Sequence, residues 1–222
     1  MTASAEPLII DVVSDVVCPW CFLGKRRLEA AIRDSDAGPI AVRWRPYQLD
    51  PSIPAAGLDR RAYLSAKFKD DSRLQAIHDH LTELGTEVGA AYAFDKIKRA
   101  PNTLDAHRLI RWAEVGDQQN AVVERLFQLY FEQGRDIGDR ALLAATAGEC
   151  GMDAELVAKR LAAGDDIEAV EAEIAQAQAM GVTGVPFFIF ASRLGVPGAQ
   201  AVDVLAKAIA QARAAKANVE VA

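Results

Sequence analysis

Two cysteines near the N-terminus, Cys18 and Cys21, are the residues whose type and spacing most directly suggest chemistry. Cysteines three positions apart on the first turn of a helix can bring their Cα atoms within the ~4.4–6.8 Å that a disulfide requires. A predicted strand precedes the pair and a predicted helix follows it, so Cys18 falls at a helix N-terminus, where unpaired N–H groups and the helix dipole favour a thiolate. We therefore predict a redox-active dithiol in which Cys18 is the nucleophile. Cys21 lies on the core-facing stripe of the helix and is predicted to resolve the mixed disulfide.

A metal site is the first competing interpretation of this pair. A structural zinc ion normally takes four ligands, but the chain has no second Cys-x-x-Cys, and His78, His80 and His107 lie far along the sequence. We therefore expect no metal ion and no other cofactor. The third cysteine, Cys150, follows apolar residues at helical spacing, so we expect it to pack in a helical core; a redox role is the less favoured alternative.

The predicted elements around the dithiol form two β/α halves separated by helices. Residues 8–13 read as a buried strand, Cys21 to about Asp34 as an amphipathic helix with Lys25–Arg27 on its solvated face, and residues 40–46 as a second strand. Residues 58–180 show no convincing strand and are predicted to be helical. Strand character returns at 182–190 and near 194–196, before a closing helix at 199–217. We expect an α/β fold divided into residues 1–57, 58–180 and 181–222.

One proline falls inside the returning strand. Pro186 removes a ladder donor from an apolar segment, and such prolines are confined to edges, strand starts or special turns. Local sequence alone slightly favours an ordinary trans Val185–Pro186 bond that opens the strand. A cis bond is the alternative, as an unusual feature retained for a local purpose.

Composition excludes several functional classes. The 222 residues include 25 basic and 31 acidic ones, for a formal charge of −6, and the basic residues are scattered, so nucleic acid is not an expected partner. No stretch approaches the ~20 apolar residues that span a bilayer, and the first residues do not resemble a signal peptide. We expect no membrane partner and a cytoplasmic location, where a cysteine pair is more often catalytic or redox-sensing than structural. The oligomeric state is left open.

Several blocks together resemble the FrnE-like branch of the DsbA family. They span nearly the whole chain in the family's order: SDVVCPWC at 14–21, GKRRL at 24–28, WRPYQL at 44–49, APNTLDAHRL at 100–109 and GVTGVPFF at 181–188. The resemblance implies a thioredoxin fold with a large all-α insertion between its βαβ and ββα halves, and a thiol-disulfide oxidoreductase acting through Cys18 and Cys21. It also implies that Pro186 is a cis-proline facing the dithiol, which reverses the local prediction.

The resemblance further implies roles for residues around the dithiol. The backbone of Val185, beside Pro186, would hold an extended substrate segment in the manner of strand addition, and Trp20 would form a solvent-facing contact surface. Asn102 and His107 belong to a family-like block and are candidates to line the cleft, although a helix-packing role is equally open for His107. Expected partners are protein or small thiol and disulfide substrates, with glutathione open as a co-substrate.

Two other functions stay open. Kappa-class glutathione transferases and 2-hydroxychromene-2-carboxylate isomerases share the scaffold but use a serine where Cys18 stands, and would predict an activity that survives loss of Cys21. A binding or chaperone-like module with a vestigial dithiol is the non-catalytic alternative. The periplasmic DsbA proteins carry a histidine between their cysteines, whereas this chain has Pro19-Trp20. The direction of disulfide exchange is therefore left undecided.

Overall fold

The computed structural model describes residues 6–35, 38–68 and 70–220. In chain order the strands are β1 (Leu8–Ser14), β2 (Ile40–Pro46), β3 (Leu58–Asp59), β4 (Arg99–Ala100), β5 (Phe187–Phe190) and β6 (Leu194–Pro197). The helices are α1 (Pro19–Arg33), α2 (Arg60–Lys67), α3 (Asp71–Val88), α4 (Leu104–Trp112), α5 (Gln119–Phe127), α6 (Arg140–Glu149), α7 (Ala154–Ala163), α8 (Ile167–Ala179) and α9 (Val202–Glu220).

The main sheet joins the two ends of the chain in the order β2-β1-β5-β6. Strand β1 pairs with β2 in parallel across helix α1, and with β5 in antiparallel fashion. Because β1 is central, its side chains are largely enclosed, which explains its almost uninterrupted apolar run. The predicted α/β fold, with a βαβ half and a ββα half separated by helices, is confirmed. The predicted boundaries at residues 57 and 180 stay a prediction.

Helix α1 is packed tightly against the segment that leads into β5. Gly24 on this helix is buried, and a Cβ placed on it would lie 2.9 Å from Pro186 Cγ and 3.2 Å from Phe188 Cζ. A side chain at this position would therefore push the helix away from the Pro186 turn. The absence of a side chain at residue 24 allows α1 to bring its first turn close to Val185.

The helical block contains one feature that contradicts the prediction of no strand between residues 58 and 180. Strands β3 and β4 form a two-residue antiparallel ladder, with Leu58 opposite Ala100 and Asp59 opposite Arg99. Two residues are too few to leave an alternating pattern in the sequence. The predicted strand at 182–190 is also shorter than expected, since β5 covers residues 187–190 and the preceding residues form the Pro186 turn.

The basic run on α1 is not the solvated face that the pattern predicts. The Lys25 side chain is only 1% exposed; it forms an ion pair with Glu29 and a second one, at 2.7 Å, with Glu124 of α5. Glu124 lies 99 positions after Lys25 in the sequence. Their ion pair joins α1 to the helical block and allows Lys25, a residue type usually found at the surface, to be buried. A second link covers the edge of β2, where the Gln119 side chain accepts from Trp44 N (2.8 Å) and donates to Trp44 O (3.2 Å).

Candidate active site

Cys18 occupies the N-cap of helix α1. Its backbone is extended (φ −86°, ψ 115°), and Pro19 follows at the first helical position, where the missing N–H costs no hydrogen bond. The amide of Cys18 donates to Asp15 O (2.9 Å), and the Cys18 carbonyl accepts from Cys21 N (3.0 Å), which fixes the turn into the helix. The Cys18 sulfur is thus held at the N-terminal end of α1, the positive end of the helix dipole.

Cys21 lies behind Cys18 and is chemically unlike it. It is 1% exposed, and burial raises the pKa of its thiol well above the usual value, with the hydrogen bond to Cys18 and the charge there acting in the same direction. The Ser14 hydroxyl and the Asp15 backbone N–H oppose this by lowering the pKa of Cys21. All three cysteines of the chain, each within the described residues, are free thiols. The two thiols therefore have different surroundings, and their division into an attacking and a resolving sulfur stays a prediction.

The turn at Pro186 faces the dithiol. The Val185–Pro186 bond is cis, as the family resemblance implied and against the trans geometry that local sequence favoured. Cys18 Sγ lies 3.7 Å from Val185 O, across the gap between α1 and the start of β5. Residues 18 and 185 are brought together here by the pairing of β1 with β5.

Cys18 opens onto a cleft of about 420 Å³ between the sheet half and the helical block. Trp20, Gly184 and Val185 line it beside the sulfur. The facing wall is mostly apolar and aromatic, with side chains from the loop after β2 and from α2 and α3: Leu49, Ile53, Tyr63, Leu64, Phe68, Leu74 and Ile77. Charged groups at its margins include Asp15, Asp50, Arg60 and Lys67. A volume of this size accommodates a small molecule or a few side chains.

Trp20 lines this cleft but is not fully solvent-facing. It is half-buried, it packs against the core, and its ring centroid lies 6.3 Å from that of His80 on α3. It is therefore a wall of the cleft between the two cysteines and the helical block, which modifies the prediction of an open contact surface.

Neither Asn102 nor His107 is among the described residues that line the Cys18 cleft, so the prediction that they line it is wrong. The Asn102 side chain is used in bonds between loops: it donates to Ile53 O (2.6 Å) and accepts from Gln48 Nε2 (3.0 Å) and from the Leu104 amide (2.9 Å). His107 faces the interior from α4, 3% exposed, with Nε2 3.4 Å from Asp15 Oδ1. The helix-packing alternative therefore describes His107.

Sequence reasoning missed three residues that shape the site. Asp15 is 1% exposed, lines the cleft, and accepts from Leu49 N (2.8 Å), so it joins the dithiol turn to the loop after β2. Tyr92 donates to Pro19 O (2.7 Å), and burial raises the pKa of its hydroxyl, so it remains a neutral donor. The Ser14 hydroxyl is buried beside the Cys21 thiol, whose pKa it lowers. In the sequence, only the position of Ser14 and Asp15 immediately before the dithiol turn indicates that they could lie at the site.

Two further features concern metals and membranes. Within the described residues there is no group of three or more His, Cys, Asp or Glu side chains arranged to hold a metal ion. None of the described helices combines the length and apolar character that crossing a bilayer requires.

Comparisons with known proteins agree with this architecture. A relative from Bacillus subtilis, the uncharacterized protein YwbO, is 30% identical over 202 residues, which cover 90% of this chain and 94% of the relative. A probable DsbA oxidoreductase from Streptomyces coelicolor, SCO1869, is also 30% identical, with a TM-score of 0.85 over 92% of this chain and 89% of that chain.

A structure of 2-hydroxychromene-2-carboxylate isomerase shares the fold, with a TM-score of 0.70 and 17% identity over 96% of this chain and 99% of that one. The family model described as a DSBA-like thioredoxin domain matches residues 9–210, nearly the whole chain. With the sheet order and the helical insertion, this match establishes that the chain belongs to the family of proteins with a DSBA-like thioredoxin domain.

Proposed function

We propose that the protein is a thiol-disulfide oxidoreductase that exchanges disulfides through Cys18 and Cys21. The observation that carries the proposal is the asymmetry of the pair: Cys18 lies at a helix N-terminus and opens onto a cleft, with its sulfur 3.7 Å from Val185 O, while Cys21 is enclosed behind it. Two sulfurs so placed can attack in sequence. We further propose that the protein belongs to the FrnE-like branch and acts in the cytosol, where lone cysteine pairs are usually catalytic or redox-sensing.

In the reducing direction, disulfide exchange takes two steps. The Cys18 thiolate attacks one sulfur of a substrate disulfide, forming a mixed disulfide, and the other substrate sulfur leaves as a thiolate with the bonding electron pair. Cys21 then loses its proton and attacks the Cys18 sulfur, which expels the second substrate thiolate. The substrate has gained two electrons, and Cys18 and Cys21 are joined in a disulfide. The same steps in reverse oxidise a substrate dithiol.

The direction is set by the reduction potential of the Cys18–Cys21 pair against that of its surroundings. Neither Pro19 nor Trp20 adds a charge between the cysteines, where the periplasmic DsbA proteins carry a histidine. We expect the potential to be less oxidising than that of those proteins. Equilibration of the reduced chain with glutathione buffers, read by thiol alkylation and mass, measures it.

A trapping experiment tests the proposal. In a Cys150→Ser background, replacing Cys21 with serine should accumulate a mixed disulfide at Cys18 on exposure to a disulfide-containing peptide, because the resolving sulfur is gone. The matched Cys18→Ser variant should form the adduct much more slowly, since its remaining thiol, Cys21, is buried and has a raised pKa. Intact mass after acid quenching reads both. Equal adduct formation in the two variants would contradict the assigned roles.

A glutathione-dependent transferase or isomerase is the second candidate function, because the fold is shared with 2-hydroxychromene-2-carboxylate isomerase. An enzyme of that kind would bind glutathione saturably and would keep a transferase or isomerase activity in the Cys21→Ser variant. Disulfide exchange with turnover requires both sulfurs and is lost in that variant. Comparison of both activities in wild-type protein and Cys21→Ser therefore separates the two candidates.

A further inference from the structure

Helix α2 is a thinly supported wall of the Cys18 cleft. All eight of its residues are described, and none of them is buried, yet Tyr63, Leu64 and Lys67 line the cleft. Since helices in proteins draw most of their stability from packing an apolar face, a helix without buried residues has low local stability.

There is space on both sides of this helix. A second cavity of about 470 Å³ lies against α2, and the residues Arg60, Leu64, Leu74 and His78 line both this cavity and the Cys18 cleft. Helix α2 thus stands between two open volumes, so that its displacement away from Cys18 meets little packed protein.

The N-terminal end of α2 is held by hydrogen bonds of its backbone. Its N-terminal end continues from β3, which is paired with β4, and the Arg60 amide donates to Lys98 O (3.0 Å). Asp59 caps the helix by accepting from Ala62 N (2.9 Å). This end has backbone hydrogen bonds to the rest of the helical block and can act as a pivot.

Further along the helix, a hydrogen-bonded chain connects α2 to the loop after β2. Tyr63 donates its hydroxyl proton to Asp50 Oδ2 (3.0 Å), and Lys67 Nζ donates to the Tyr63 oxygen (2.8 Å). Hydrogen bonds from Ser52 and Tyr63 hold the pKa of Asp50 below its usual value, so the acceptor is a carboxylate at neutral pH. The phenol of Tyr63 therefore ties α2 to the loop after β2 and pairs with one charged group on each of these two segments.

We propose that Tyr63 is a specificity-determining residue, which holds α2 over the cleft so that small disulfides reach Cys18 directly and protein disulfides reach it after α2 moves away. This inference rests on the proposed function in taking Cys18 as the reacting sulfur. Cys18 is only 4% exposed, and the cleft above it has the volume of a small-molecule site. A folded protein carrying its disulfide on a surface loop needs a wider opening.

Alkylation of Cys18 with reagents of different size tests the proposal without requiring disulfide exchange. In a Cys21→Ser, Cys150→Ser background, the rate constants are measured with iodoacetamide and with a maleimide attached to a bulky polyethylene glycol. The Tyr63→Phe variant should raise the rate with the bulky reagent by about tenfold, the order expected for losing a hydrogen bond to a charged group. The rate with iodoacetamide should change less than twofold.

Two further variants make the comparison specific. Asp50→Asn weakens the same bridge from the other side and should reproduce the rise in the bulky-to-small ratio. Tyr47→Phe is the matched control, because it makes the same exchange at a buried tyrosine in the loop after β2 that is not among the described residues lining the cleft. Its ratio should equal that of wild type. Circular dichroism melting confirms that each variant is folded.

A wild-type ratio in Tyr63→Phe, or an equal rise in Tyr47→Phe, would overturn the role of Tyr63. Because alkylation reports access alone, a changed ratio together with failure of the Cys21→Ser trap would refute the oxidoreductase proposal and leave the gating by α2 standing. Where both hold, Tyr63→Phe should shift the rates of mixed-disulfide formation toward insulin relative to glutathione disulfide.

Discussion

Replacing Gly24 with alanine tests whether the close approach of α1 to the Pro186 turn is required. Two effects of opposite sign compete. Alanine is favoured over glycine in a helix interior by about 1 kcal/mol. The added Cβ would lie 2.9 Å from Pro186 Cγ and 3.2 Å from the Phe188 ring, and both neighbours are buried, so neither can yield without moving the core. Overpacking of this kind costs about 1–3 kcal/mol. We expect a net loss of about 1 kcal/mol in the free energy of unfolding.

Gly148→Ala is the matched control, because Gly148 lies in helix α6, is exposed, and its Cβ would meet a single neighbour, Ala154 Cβ at 3.3 Å. That variant should gain up to about 1 kcal/mol from helix propensity. Urea unfolding of both variants gives the difference, and the rate of adduct formation at Cys18 shows whether the site is disturbed. If Gly24→Ala is stabilised as much as Gly148→Ala and reacts at the wild-type rate, α1 and the Pro186 turn are not closely coupled.

Three further predictions concern buried groups of β1 and α1. Ser14→Ala removes a hydroxyl that lowers the pKa of Cys21. Release of the mixed disulfide should therefore slow at neutral pH, and the pH profile of the release rate should move to higher pH. Thr146→Ala, which removes a buried hydroxyl from α6, should leave this profile unchanged. Folding raises the pKa of Cys21, so the folded reduced protein holds the thiol proton more tightly than the unfolded chain does. This contribution to the free energy of unfolding is full below about pH 8.5 and declines at higher pH. In urea titrations at pH 7 and pH 10, the free energy of unfolding should therefore fall less in Cys21→Ser than in the wild-type protein. Lys25→Met should cost about 1–3 kcal/mol by leaving partly exposed acids short of a partner, and adding Glu124→Gln should recover part of the loss; a neutral single variant would contradict a structural role for this ion pair.

The elements that carry the dithiol could be predicted because their signals are local. The β-branched run of β1, the amphipathic period of α1 and the turn into Cys18 lie within a few residues of one another, and each is decided by neighbours in sequence. The cis geometry of the Val185–Pro186 bond differs in kind. Local sequence favoured trans, and only the resemblance of the whole chain to a family pointed to cis.

The errors share a cause in contacts between distant parts of the chain. Lys25 was predicted to be solvated, but the fold places Glu124 beside it. His107 was a candidate to line the cleft, but α4 directs it toward Asp15. Asn102 carries a side chain typical of both binding sites and helix caps, and its use is decided by Ile53 and Gln48, which lie 49 and 54 positions away. Residue type alone does not distinguish these roles, because each depends on which surface is covered.

The described ties across the cleft separate a fixed wall from a movable one. Near the dithiol, Asp15 binds the loop after β2 and Tyr92 binds Pro19, both through side chains that are mostly or wholly enclosed. The bridge at Tyr63 is partly solvent-exposed and joins a helix without buried residues. Redox chemistry and size selection would therefore reside in different parts of the site. Changes at Ser14 should alter the rate of exchange for small and large substrates alike, whereas changes at Tyr63 should alter their ratio and leave the reduction potential of the pair unchanged.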